Sequence, residues 1–109
     1  MNETEKIIQA LSDIQGIASV TRGWPRQDAQ LPCVALQLLE RSAVDTRDNE
    51  VYLTKSRYLV RVFGQTLSAC DALKAEIAAA MAALAYTLER VQETDHETAQ
   101  LRMTFEKLE

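Results

Sequence analysis

Lys55-Ser-Arg-Tyr-Leu-Val-Arg-Val-Phe63 and Thr98-Ala-Gln-Leu-Arg-Met-Thr-Phe-Glu-Lys-Leu108 are two alternating segments, and one alanine-rich stretch lies between them. Period two puts Tyr58, Val60 and Val62 on one face of the first segment and Arg57, Leu59, Arg61 and Phe63 on the other. The first set is the better core face. In the second segment Leu101, Met103 and Phe105 alternate with Arg102, Thr104 and Glu106, the pattern of a strand with one buried and one wet face. Between them, Cys70, Leu73, Ile77, Met81 and Leu84 form an apolar helical stripe. Alanines at 69, 72, 75, 78, 79, 80, 82, 83 and 85 raise helix propensity and permit close approach to a sheet or a neighbouring subunit. Gly64 ends the first strand, and Ser68 with Asp71 offers a capping box for the helix.

Working outward, Glu3 to Ile14 reads as a short helix with Ile7, Ile8 and Leu11 on one side and a stop at Gly16. Ile17 to Arg22 reads as a short strand. Gly23-Trp24-Pro25 then breaks regular structure, because Pro25 biases Trp24 toward an extended conformation. Pro32 precedes the apolar run Cys33-Val-Ala-Leu-Gln-Leu-Leu39, a strand with its proline at the first residue or edge. The polar stretch Glu40 to Glu50 reads as strand ends around an exposed loop, which makes Val34 to Phe63 a long hairpin. Tyr86 to Glu93 gives a further strand, with Tyr86 and Leu88 on one face and Val91 on the other. The polar Asp95-His96-Glu97 connects it to the last strand. The expected fold is α+β, a small mixed or antiparallel sheet packed against two helices in the order α-β-β-β-α-β-β.

The chain has 109 residues, enough for a single domain over 1–109 with a modest core. Apolar residues at 47% and charged residues at 26% match an ordinary globular protein rather than a disordered one. Lysine and arginine number 12 against 16 acidic residues, and a net charge of -4 argues against a large or specific nucleic-acid footprint. The opening Met-Asn-Glu-Thr-Glu-Lys-Ile-Ile lacks the basic start and apolar core of a secretory signal. Ala75 to Ala85 contains Glu76 and is too short to span a bilayer, so the expectation is a soluble intracellular product without a membrane partner.

Candidates for chemistry are sparse. Cys33 and Cys70 form no Cys-x-x-Cys pair and read as buried reduced thiols. His96 is the only histidine, and its neighbours in a turn need not converge on a metal or a substrate. Ser68, Cys70 and Asp71 cluster at a helix start, where capping accounts for the serine and aspartate. Gly16, Gly23 and Gly64 make no phosphate-binding loop. These residues imply no enzyme, no cofactor and no metal. Trp24 beside Pro25 is the sharper surface candidate, a rigid anchor for a partner or else a lid over the chain's own core. Arg57 and Arg61 share a face with Leu59 and Phe63 and suit cross-strand pairing to acids or a charged subunit contact. A nucleic-acid binder would instead need a continuous positive strip around them.

In the order and texture of Pro32 to Leu39, Tyr58 to Phe63, the Leu67 to Leu84 helix and the Leu101 to Phe105 strand, the whole chain resembles the small tail-completion and tail-terminator proteins of long-tailed bacteriophages and prophages. The resemblance implies a structural homo-oligomer, a ring that is often a hexamer. Such a ring sits at the head-proximal end of the tail tube, stops its polymerisation and helps join tail to head. Its partners would be the tail-tube protein and a head-tail connector protein. Its place would be the bacterial host cytoplasm during assembly and then the virion tail or neck. Placement in such a chain nominates Trp24, Pro25, Arg41, Asp45, Arg47, Arg57 and Arg61 as interface residues. A small non-enzymatic adaptor or regulatory ligand-binding module remains the alternative, favoured by a monomeric state and a concave pocket.

Overall fold

The computed structural model describes residues 2–47, 50–95 and 99–109, with side chains throughout except at 44–47, 50–52 and 95. Among them lie α1 (Glu3–Ser12), β1 (Ser19–Arg22), β2 (Cys33–Arg47), β3 (Glu50–Gly64), α2 (Leu67–Ala83), β4 (Thr87–Asp95) and β5 (Ala99–Leu108). This is the expected element order. The strands form one sheet in the order β1-β2-β3-β5-β4, with β1 parallel to β2 and the other pairs antiparallel. The fold is therefore α+β with a mixed sheet.

Each helix starts where a side chain can satisfy a free backbone amide. The Asn2 side chain accepts from the Glu5 amide at 2.8 Å, and Glu3 and Glu5 place negative charge in the first turn of α1. The helix stops at Ser12, short of the expected Ile14, and Gly16 turns the chain at a φ of 100°. In α2 the cap is Thr66, whose hydroxyl accepts from the Ala69 amide at 3.1 Å. This corrects the Ser68–Asp71 capping box, since Ser68 already lies inside the first turn. A Cβ on Gly64 would stand 2.8 Å from the Cys70 sulfur, so glycine here lets the new helix fold back tightly onto the strand it leaves.

Both helices lie on one face of the sheet. Ile7 and Leu11 of α1 and Cys70, Leu73, Ile77 and Met81 of α2 meet Val34 and Leu36 of β2, Tyr58, Val60 and Val62 of β3, and Leu101, Met103 and Phe105 of β5. Register explains the match: Val34 stands opposite Val62, which stands opposite Leu101, and side chains directly across an antiparallel pair share a face. Expectation and structure differ at β4. Leu88 stands opposite Phe105 and Val91 opposite Met103, both on the helix side, because a bulge between Leu88 and Arg90 inserts one extra residue. Tyr86 is buried just before the strand, whereas Leu88 at the sheet margin is half exposed. Both thiols are buried and free: Cys70 in the main core, Cys33 in a small cluster with Ala35 and Phe63 on the opposite face.

The long hairpin is present and goes further than expected. Pairing between β2 and β3 continues through the Glu40 to Glu50 stretch as far as Arg47 opposite Glu50. The last of β5 pairs Leu108 with Lys55, and Glu109 and Thr54 exchange backbone hydrogen bonds of 2.8 and 2.9 Å. Beyond that point β2 and β3 form a two-stranded arm, and the molecule measures 51 × 27 × 24 Å. The sheet edges are blunted: β1 is short, and β4 carries its bulge with Glu89, Arg90 and Glu93. No helix among the described residues is long and apolar enough to cross a membrane.

A polar network ties the start of α1 to the end of β5. The Glu3 carboxylate accepts from the Tyr86 hydroxyl at 2.9 Å and from Lys107 Nζ at 3.1 Å, and Lys107 also meets Glu109 at 2.8 Å. Burial works to raise the Glu3 pKa, but the hydrogen bonds from Tyr86 and Lys107 outweigh it and hold the carboxyl below its ordinary 4.5. Burial, reinforced by the Glu3 carboxylate, pushes the Tyr86 hydroxyl well above its ordinary 10.0. The signs follow from which state holds the proton. Below 4.5 the unfolded chain takes up a proton that the folded Glu3 resists, so stability falls with falling pH. Above 10.0 the unfolded tyrosine releases a proton that the folded one keeps, so stability falls with rising pH. The thermal midpoint is expected to drop on both sides, and Tyr86→Phe should shallow the alkaline limb. An alkaline limb unchanged in that variant would rule out the Glu3–Tyr86 contact.

Candidate functional site: the open sheet face and the arm

The sheet face away from the helices is covered only by the Gly23–Pro32 connection between β1 and β2, among the described residues. Register lays out its side chains in rows across β2, β3, β5 and β4. Cys33, Phe63, Gln100 and Thr94 form the row farthest from the arm. Ala35, Arg61, Arg102 and Gln92 follow, then Gln37, Leu59, Thr104 and Arg90. The row nearest the arm is Glu40, Arg57, Glu106 and Thr87. The first three rows hold Arg61, Arg102 and Arg90 and no carboxylate.

Arg61 is the centre of this face. It is 9% exposed, with its guanidinium 4.3 Å from the centroid of the Trp24 ring and its Nη1 donating to Gln37 Oε1 at 2.8 Å. Arg102 lies directly across the strand pair, and its Nε is buried with no hydrogen-bond partner among the described residues. Desolvation, and then the charge of Arg102, push the Arg61 pKa down from the usual guanidinium value. Trp24 leans on Phe63 at 6.2 Å between centroids but remains 67% exposed. It covers Arg61 and the edge of the small cluster rather than the main core.

Arg57 behaves differently. Its Nε lies 3.1 Å from Glu89 and its Nη1 3.7 Å from Glu40, while Lys55 meets Glu106 at 3.7 Å. The hydrogen bond that Arg57 donates to the Glu89 carboxylate raises the Arg57 pKa. The expected pairing to acids thus holds for Arg57 and fails for Arg61, whose partners are an aromatic ring, an amide and a second arginine. The acidic groups around Arg57 also interrupt any continuous positive strip.

The remaining nominated residues divide by face. Pro25 lines a recess of about 280 Å³ with Trp24, Cys33 and Phe63. Arg41 lies on the helix side at the arm's base, where Nε reaches Ser56 Oγ at 3.3 Å and Nη2 reaches the Tyr58 hydroxyl at 3.5 Å. Asp45 and Arg47 belong to the arm by backbone register, opposite Leu53 and Glu50, and their side chains lie outside the described ones. The structure thus brings Trp24, Pro25 and Arg61 together, sets Arg57 in a separate ion-pair cluster on the same face, and puts Arg41 on the other face. Arg102 was missed, although the alternation of β5 already assigns it to the wet face.

His96 lies outside the described residues, and among those described no group of histidine, cysteine, aspartate and glutamate is arranged to hold a metal. Burial raises the pKa of the Cys33 thiol, which lines the recess, and so disfavours its thiolate. The sequence matches no protein-family model, and no match was found among curated proteins.

Proposed function

We propose that this chain is an assembly protein, a ring-forming terminator that caps a phage or prophage tail tube and helps join tail to head, with no catalytic step. The observation that carries this reading is the arm. A two-stranded hairpin is marginally stable alone in water, so one that extends past the end of β5 gains most by burying itself against another chain. The open sheet face with its exposed Trp24 supplies a second contact area, and the element order is the one the resemblance implies. A ring terminates a tube if one face complements the last tube layer and the other does not reproduce the growing surface. Closed rotational symmetry lets one heterologous contact repeat without indefinite growth. On this reading the ring works in the host cytoplasm during assembly and in the virion neck afterwards.

Mass measurement in solution, alone and with a candidate tail-tube protein from the same genome, tests it. A ring that forms alone or on the tube, with tube ends seen capped by electron microscopy, is the expected result. A chain that stays solitary at high concentration with tube present overturns the proposal. The recess of about 280 Å³ beside Trp24 favours the alternative, a monomeric ligand-binding adaptor, because its size is close to that of small-molecule sites. The same measurement separates the two.

A further inference from the structure

Among the described residues, Arg61, Arg102 and Arg90 on the open sheet face have no carboxylate partner, and Asp71 and Glu76 on the opposite side have no cationic one. Across the outer surface of α2, Ala72, Ala75, Ala79 and Ala82 are exposed and form a smooth ridge. At 100° per residue, Asp71 and Glu76 are about 140° apart and stand on the two margins of that ridge. Neither has an ion-pair partner among the described residues. Lys74 lies half-buried on the flank.

We propose that the open sheet face of one copy docks the alanine ridge of α2 of a second copy, with Asp71 and Glu76 supplying the negative charge that Arg61, Arg102 and Arg90 lack. The inference rests on the ring-forming reading and specifies its contact. Three observations join here. Arg61 and Arg102 face each other across β3 and β5 as like charges with no carboxylate in their row, so a carboxylate docked against this face offsets their repulsion. Alanine side chains let the helix backbone approach a pleated surface closely. The lengths also permit it, since α2 runs about 25 Å and so reaches across four strands that span about 15 Å.

The two surfaces lie on opposite sides of a two-layer fold. Their contact is therefore head-to-tail, each copy using its sheet toward one neighbour and its helix toward the other, a heterologous geometry that closes into a ring when the rotation between successive copies divides the circle and otherwise grows as a filament. Trp24, stacked on Arg61 and exposed above it, stands on the face that the helix covers and packs against the ridge as an aromatic anchor.

Charge exchange tests this. The sheet variant R90E/R102E and the helix variant D71K/E76K are each expected to weaken self-association at least about tenfold in sedimentation experiments, because like charges then meet. In R90E/R102E the new carboxylate at 102 faces Arg61, and in D71K/E76K the changes are on an exposed helix surface, so circular dichroism should show both folded. The chain carrying all four changes should associate again, since the two inverted sheet charges then meet the two inverted helix charges while Arg61 is paired within its own chain by the new carboxylate at 102. A79R, a bulky residue on the ridge, should abolish association without touching either charge set. Wild-type oligomers unaffected by A79R, or no recovery in the fourfold variant, overturn the docking while leaving ring formation standing. A wild-type chain that is monomeric alone but forms rings on tube protein also overturns it. An oligomer that A79R disrupts but that ignores tube protein supports the docking and overturns the tube-capping role.

Discussion

Tyr58→Ala is expected to cost about 3–5 kcal/mol of folding stability, much of the roughly 5–15 kcal/mol that a domain possesses. Tyr58 is fully buried in the middle strand of the sheet, and its ring meets that of Tyr86 edge-on at 5.7 Å. Its hydroxyl lies 2.9 Å from Thr4 Oγ1 and 3.5 Å from Arg41 Nη2, so one side chain links α1, β2, β3 and the entry to β4. Truncation leaves a cavity among elements that cannot all move inward, and it strips packing from the ring that holds Glu3. Tyr58→Phe keeps the ring and loses only the hydroxyl contacts, so about 1 kcal/mol is expected. Urea denaturation followed by tryptophan fluorescence and circular dichroism checks both, with the midpoint falling far more for alanine at a similar slope. Equal losses would mean that the hydroxyl network, and not the buried ring, holds this junction.

The same contrast between face and row explains what could be read in the sequence. Alternation in 55–63 and 98–108 assigned Tyr58, Val60, Val62, Leu101, Met103 and Phe105 to the correct face, because period two is a local property. It could not say which residue of β5 stands beside which residue of β3. That register places Arg102 opposite Arg61, and for want of it pairing to an acid and a charged subunit contact stood as equal expectations for Arg61. At β4, Leu88 and Val91 violate a strict alternation, and the remedy is the bulge between Leu88 and Arg90, an irregularity set by the partner strand. The cap of α2 was misplaced for a similar reason. Thr66 and Ser68 are both good caps, and the approach of Cys70 to Gly64 starts the helix at the earlier one. The hairpin from Val34 to Phe63 was legible, but not how far its pairing runs. Glu40 to Glu50 read as strand ends around an exposed loop because these residues have no core to face, whereas the backbone pairing continues to Arg47 and Glu50.

If the chain caps tail tubes as proposed, replacing residues 44–53 with Asn-Gly is expected to leave a folded chain that has lost that capacity. Ala43 and Thr54 are paired across the hairpin, and Asn-Gly joins such a pair in a tight turn. The cut spares the two Thr54–Glu109 hydrogen bonds and all of the described core. An isolated hairpin adds little to the fold that bears it, so the thermal midpoint should shift by only a few degrees, about 1 kcal/mol or less. Affinity for tube ends should instead fall more than about a hundredfold, roughly 3 kcal/mol, because a whole contact element is gone. The pair of readouts is what makes the test decisive: a general loss of structure would lower both, whereas an element held for a partner lowers one. If the shortened chain capped tubes as well as the full one, the arm would not be the part that meets the tube. The capping role would then lose its main support, even if sheet-to-helix docking still closed the ring.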